Sequence, residues 1–473
     1  MLGMVKDFML EPTAIIGMIV LVGLILQKKK LDSIIKGTVK SMIGFMIIRV
    51  GGNIIVECVD NFGKMFQYGF HVSGVILSAE GVTGIAIDRY GMQIAVLMFL
   101  GIFVNLMLAK ITRFRYIFVT GQEILYMAAL IVVLLNGADV KGILFYMIGA
   151  LILGISMVFS PAVLQPYTEK ICKNDSIAIG HFGGFTYLIA AWLGRIYGDN
   201  SKSTEEMKLS KKLSFLRDSS VMVFLTMLLM YILVALVCGN TYVEEVLSNG
   251  KHLVVYASTE ALTFTVGFAV VITGIRWFIN EIVPAVKGIA DNWIPNAKAA
   301  VDCPIVFTYA PNALIIGFIT SFIGGLISMG IMMACNLPVI LPGVIPHFFC
   351  GATAAIYGNS TGGRRGAVLG ALSNGIIMSF LPVIFLNYLG SFKEYSITFS
   401  EPDMGLVASF LGDWLHRIGS VGTLVILGGI IIIMILVPEM IDDRDPNSDE
   451  WYDFNTEKVL EDSKIIYRKT KEK

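Results

Sequence analysis

The chain has 473 residues and no formal net charge at pH 7, and it is 55% hydrophobic with only 15% charged residues. Its mean hydropathy is +0.74, whereas a soluble domain carries about 25% charged residues, so an ordinary water-soluble enzyme is excluded. The balanced charge gives no reason to expect a nucleic-acid partner.

Apolar runs of roughly 20 residues, the length that crosses a bilayer, recur along the chain. The clearest are 12–27, 91–109, 116–135, 143–164, 220–238, 261–279, 313–335, 366–388 and 423–438, with interrupted stretches at 37–57, 179–194 and 337–357. The expected fold is an all-α polytopic membrane protein of about eleven crossings plus re-entrant hairpins. The first run has no small-residue cleavage site, so no cleavable signal peptide is expected. It ends in Lys28-Lys29-Lys30, which by the positive-inside rule places the N-terminus outside. Basic loops at 110–115 and 202–217 (Lys202, Lys208, Lys211, Lys212, Arg217) belong on the same side as that triplet. Residues 1–440 read as one membrane domain and 441–473 as a charged cytoplasmic tail, too short for a catalytic domain.

Two polar, glycine-rich segments break the apolar pattern: Gly180-His181-Phe182-Gly183-Gly184 and Gly358-Asn359-Ser360-Thr361-Gly362-Gly363. Irregular backbone at membrane depth survives only where it is buried in protein or lines a watery cavity. A pair of such interruptions in two halves points to a solute site near the midplane. The halves are drawn as repeats at about 12–200 and 261–440, inverted with respect to each other. Weaker markers are Ile35-Lys36-Gly37 with Val286-Lys287-Gly288, and Ile117-Phe118-Val119-Thr120 with Ile305-Val306-Phe307-Thr308. Pro311, inside Thr308-Tyr309-Ala310-Pro311-Asn312, frees a backbone carbonyl for a solute or simply kinks a packed helix.

Charged residues inside membrane segments are functional candidates by default. The shortlist is Glu80, Gln122, Glu123, His181, Asp302, Asn359 and Ser360. Carboxylates, amides and an imidazole around an apolar cavity suit a hydroxyl-rich solute, because each unpaired buried polar group costs about 1–3 kcal/mol. Other polar residues have plainer readings. Asp88 is expected to pair with Arg89, and Arg49 with Glu57 or Asp60. Glu123 reads as a helix-packing or solvent-facing group, and His71, His252, His347 and His416 read as interfacial. The six cysteines (Cys58, Cys172, Cys238, Cys303, Cys335, Cys350) show no CxxC spacing, so they read as small buried residues and no metal or cofactor is expected. The absence of a GxxxxGK[ST] motif argues against an ATP-driven pump.

Several segments resemble the membrane subunit (IIC) of the ascorbate-specific phosphotransferase system, within the ascorbate–galactitol superfamily. They are Ile34-Ile35-Lys36-Gly37-Thr38-Val39-Lys40, Gly44-Phe45-Met46, Ile179-Gly180-His181, Ala300-Val301-Asp302-Cys303, Ala310-Pro311-Asn312-Ala313 and Pro342-Gly343-Val344-Ile345-Pro346. The resemblance runs across nearly the whole chain in one order. It implies a homodimer in a bacterial cell (inner) membrane, with a solute-carrying core that moves against a V-motif domain in an elevator-like way. It also implies that a separate IIB protein, recharged through IIA, phosphorylates the solute. The IIC chain itself then contributes no catalytic residue.

His181, Asp302 and Pro311-Asn312 match the family pattern near substrate. Phe182 and Gly183 stand where the ascorbate transporters have glutamines, Gln122 where they have a histidine, Tyr126 a glutamine and Glu80 a tyrosine. The substrate-binding set implied is His181, Asp302, Glu80, Gln122, Tyr126, Phe182, Asn312 and Asn359. Losing amides removes hydrogen-bond partners, and Glu80 would repel an anion. The expected cargo is therefore L-ascorbate or a related sugar or polyol. The alternative is a proton-coupled secondary transporter without phosphorylation, with Asp302 or Glu80 as relay.

Overall fold

The computed structural model describes residues 28–173, 177–207, 218–279, 294 and 297–442, together with positions 13, 17, 20, 21, 24 and 25. Most of the apolar run 12–27, the basic residues Lys208, Lys211, Lys212 and Arg217, the marker Val286-Lys287-Gly288 and nearly all of the charged tail lie outside the described residues.

Eight described helices are long and apolar enough to cross a membrane, so the all-α, multi-pass architecture read from the apolar runs is the one observed. In chain order the helices are α1 (Leu31–Phe70), α2 (Ala79–Ile111), α3 (Gly121–Gly137), α4 (Gly142–Cys172), α5 (Gly184–Tyr197), α6 (Ser219–Cys238), α7 (Leu253–Ile279), α8 (Pro304–Phe307), α9 (Pro311–Ala334), α10 (Val344–Phe385) and α11 (Pro402–Asp442). α1, α6 and α7 pack on one another, while α2 packs on α4 and α10 packs on both α5 and α9. α1 meets α2 where a Cβ on Gly52 would lie 2.7 Å from the Gly84 Cα. Small residues let backbones approach this closely, which is how helices associate in a membrane without a hydrophobic driving force.

Six short strands lie between the helices: β1 (Gly74–Leu77), β2 (Tyr116–Phe118), β3 (Ile177–Ile179), β4 (Lys298–Val301), β5 (Val339–Leu341) and β6 (Ile397–Thr398). They form two parallel sheets, ordered β5-β1-β6 and β2-β4-β3. Extended backbone cannot satisfy its own hydrogen bonds away from water, so these segments satisfy one another. In register, Val75 faces Ile340 and Ala300 faces both Phe118 and Ala178. Exchanging β1 with β4, β2 with β5 and β3 with β6 turns one strand order into the other.

Apolar runs at 116–135, 179–194 and 337–357 therefore begin as strand, not helix. Within a run that is apolar throughout, periodicity cannot separate a buried strand from a buried helix. The marker pair at Ile117 and Ile305 falls on different elements, a strand and the short α8. The two glycine-rich tips differ as well. The first is the turn between β3 and α5, whereas the second lies inside α10. There Gly362 and Gly363 leave helical geometry, with Gly363 at φ 57° and ψ −147°. A Cβ at Gly358 would collide with the Gly366 backbone, so the two arms of α10 fold back on each other as a hairpin.

Ion pairs also depart from expectation. Asp88 pairs with Arg49 across the α1–α2 crossing. Arg89 turns to Ser391 and the rings of Phe392 and Tyr395, and Asp60 pairs with Lys64. Neighbours in a helix point about 100° apart, so Asp88 and Arg89 reach different partners. His347 is fully buried, hydrogen-bonded through Nδ1 to Ser321 at 2.9 Å, and is not interfacial.

Candidate functional site

Each strand runs, within a few residues, into a helix start or a tight turn, and the polar residues at these junctions converge. Ser78 follows β1 and caps α2, its Oγ accepting from Gly81 N–H and donating to the Glu80 carboxylate at 3.2 Å. After β6, Ser400 accepts from the Ala79 N–H at 3.3 Å and donates to Glu401 at 3.1 Å. Gln122 and Glu123 open α3 after β2, His181 and Phe182 follow β3, and Asp302 with Cys303 follow β4. The first tip is held from below. Asp403 accepts from Gly184 N–H (3.1 Å), Phe185 N–H (2.8 Å) and Ser160 Oγ (2.6 Å), satisfying backbone donors at the start of α5.

Across the cluster, Gln122 Nε2 donates to Asp302 at 2.6 Å, and the Phe182 N–H donates to Glu123 at 2.9 Å. Glu123 Oε1 lies 3.7 Å from His181 Nε2, while His181 Nδ1 bonds to the Tyr187 hydroxyl at 2.9 Å. Glu80, Glu401 and Asp302 all act electrostatically on Glu123. Tyr126 is 3% exposed, and its hydroxyl has no hydrogen-bond partner among the described residues although it feels the same four carboxylates. No lysine or arginine is among the buried described residues. The result is a largely buried cluster of acids, one amide, one imidazole and one orphaned hydroxyl. Such a cluster can accept from and donate to several hydroxyls at once.

The chain matches the family of phosphotransferase-system sugar-specific permease components, EIIC-GAT, over residues 7–403. It belongs to that family. It is also similar to the ascorbate-specific PTS system EIIC component of Mycoplasma pneumoniae, at 26% identity over 436 residues, covering 81% of this chain and 65% of that relative. The chain thus spans just under two thirds of the length of the curated relative it matches.

Within this chain, the structure brings together His181, Asp302, Glu80, Gln122 and Tyr126. Phe182 contributes its N–H, while its ring stacks on Phe118 at 4.8 Å. It does not bring Asn312 or Asn359 to the cluster. Asn312 Nδ2 donates to the carbonyls of Thr204 (3.1 Å) and Met207 (2.9 Å), and Asn359 Oδ1 accepts from the Thr204 N–H. Ser360 bonds to the Tyr357 carbonyl in its own helix turn. Glu123 is buried in the cluster and does not face solvent. Sequence reasoning missed Glu401, Cys303 and Tyr187. A signal for Glu401 existed: Phe399-Ser400-Glu401 and Leu77-Ser78-Ala79-Glu80 both set a serine and an acid between a short apolar strand and a helix.

Proposed function

We propose that the chain is the membrane-embedded permease of a phosphotransferase system. It would carry a neutral, hydroxyl-rich solute (a sugar or polyol) to the cytoplasm, where a separate IIB protein phosphorylates it. The observation that carries this reading is the convergence of strand ends on an acid-rich cluster, with no lysine or arginine buried among the described residues. Each carboxylate accepts from one or two hydroxyls, and Tyr126 and His181 Nε2 offer further partners. A monoanion such as ascorbate would meet Glu80, Glu123, Asp302 and Glu401 with no lysine or arginine buried among the described residues to offset them, so the cargo named for the Mycoplasma relative is the less favoured one. Family membership supports IIA and IIB partners and a homodimer. The exchange between the two sheets supports inverted repeats, and the separate packing of α1, α6 and α7 supports an elevator-like movement of the rest against them. The N-terminus lies outside in this reading and the tail inside.

A second reading, proton-coupled transport without phosphorylation, draws on the same buried acids. One experiment separates the two: the chemical state of labelled ascorbate, sugars and polyols accumulated by cells expressing this chain with its IIA and IIB proteins. Phosphorylated sugar or polyol, lost when the IIB phosphoryl-accepting residue is replaced, is the expected outcome. Unmodified solute that leaks away when the proton gradient collapses would establish the second reading, and phosphorylated ascorbate would restore the relative's cargo. Glu80→Gln should shift preference toward anionic solutes by about tenfold, the effect of roughly 1.4 kcal/mol of removed repulsion.

A further inference from the structure

His181, Asp302 and Cys303 offer a ring nitrogen, a carboxylate oxygen and a sulfur, all within 4.8 Å of one another. Glu123, outside this set of three, has its Oε1 3.7 Å from His181 Nε2. That separation is too long for a hydrogen bond.

His181 and Glu123 are already aimed by bonds through their other atoms, and Asp302 is held at both of its oxygens. Tyr187 engages His181 at Nδ1, so Nε2 remains for a ligand. Asp302 is held by Gln122 and by the Cys303 N–H at 2.7 Å. The second oxygen of Glu123 is held by the Phe182 N–H. Metal ligands are typically fixed in this way, through hydrogen bonds made behind the coordinating atom. The charge balance points the same way. Buried carboxylates without a counter-charge are costly, no lysine or arginine is buried among the described residues, and a dication would supply what is missing.

We infer that His181, Asp302 and Cys303 form a three-donor site for a borderline-soft divalent cation of the Zn²⁺ class, with the fourth coordination position open to water. One nitrogen, one sulfur and one oxygen suit such an ion, whereas Mg²⁺ and Ca²⁺ prefer six or more oxygen ligands. Asp302 is only half-buried, which gives the ion a way in. Because His181 and Asp302 also line the proposed solute cavity, ion and solute exclude each other. Metal binding is read without any solute, so it and the transport assignment stand or fall separately.

The test is titration of Co²⁺ into the purified full-length chain in detergent micelles, followed by Zn²⁺ as competitor. One Co²⁺ per chain should bind with the intense visible bands of a tetrahedral ion and a thiolate charge-transfer band, and Zn²⁺ should erase both. Cys303→Ser should remove the charge-transfer band. His181→Gln should weaken binding at least about tenfold, and Cys58→Ser, in α1, should leave the spectrum unchanged. If Cys303→Ser fails to elute as a folded species, Asp302→Asn serves in its place and should likewise weaken binding. Weak octahedral bands, no charge transfer in the wild-type chain, or charge transfer that survives Cys303→Ser would overturn the site.

Discussion

The two glycine-rich tips look alike in sequence and do opposite work. At the first, the chain turns directly from β3 into α5, and Asp403 holds the start of that helix. His181 is then left at the cluster with its Nε2 uncommitted. At the second, the segment from Asp199 to Met207 takes up Asn359, Arg364 and the Gly362 carbonyl, and Ser360 and Thr361 bond to carbonyls of helices. Asn359 accepts from Thr204, Arg364 Nε donates to the Ser203 carbonyl at 3.0 Å, and the Asp199 N–H reaches the Gly362 carbonyl at 2.9 Å. Glu205 completes the strap by accepting from Asn312 and Ala313 N–H groups at the start of α9. A broken helix therefore marks a place where backbone must find partners. Whether those partners are protein or solute depends on what folds over it.

Substitutions at the two places should separate accordingly. Asp302→Asn, at the cluster, should reduce uptake about 100-fold, roughly 2.7 kcal/mol, while the purified protein keeps its wild-type melting temperature. Normal uptake by that variant would remove Asp302 from the site. Asn312→Ala, at the strap, should do the reverse. It leaves the Thr204 and Met207 carbonyls short of a donor and should lower unfolding stability by about 1–3 kcal/mol, with KM for solute unchanged. A raised KM with unaltered stability would move Asn312 into the solute site.

Gly363→Ala forces a side chain into the left-handed region at φ 57°, which costs about 1–2 kcal/mol. Thermal unfolding in detergent should register that loss, and an unaffected transition would mean that the hairpin turn can relax. The smallest effect is expected at the orphaned hydroxyl. Tyr126→Phe keeps the ring and removes one hydrogen bond, worth about 0.5–1.5 kcal/mol, so KM should rise by roughly fivefold. A fall in KM would show that the hydroxyl opposes binding.

Much of the candidate cluster is legible in the amino-acid sequence, and the reason differs from residue to residue. His181 and Asp302 stand out because each sits beside an interrupted apolar run, a local property. Glu80 and Gln122 stand out as polar groups near the start of apolar runs. Asn312 and Asn359 satisfy the same criterion yet bond to Thr204 and Met207, partners that no local pattern identifies. Glu401 escapes notice because Ser400-Glu401-Pro402-Asp403 reads as an ordinary helix start, with acids near a helix N-terminus. Its importance comes from β6 lying beside β1, which sets Ser400 against Ala79.

Membrane residence, the approximate spans and the family segments follow from the sequence by itself, because a bilayer selects on local hydrophobicity along one stretch of chain. Which polar groups meet does not. Gln122 and Asp302 are 180 positions apart and Ala79 and Ser400 are 321. Each pair is joined only because short extended segments must find backbone partners in other parts of the chain. The sheets that satisfy them bring Gln122 to Asp302 and Ser400 to Ala79.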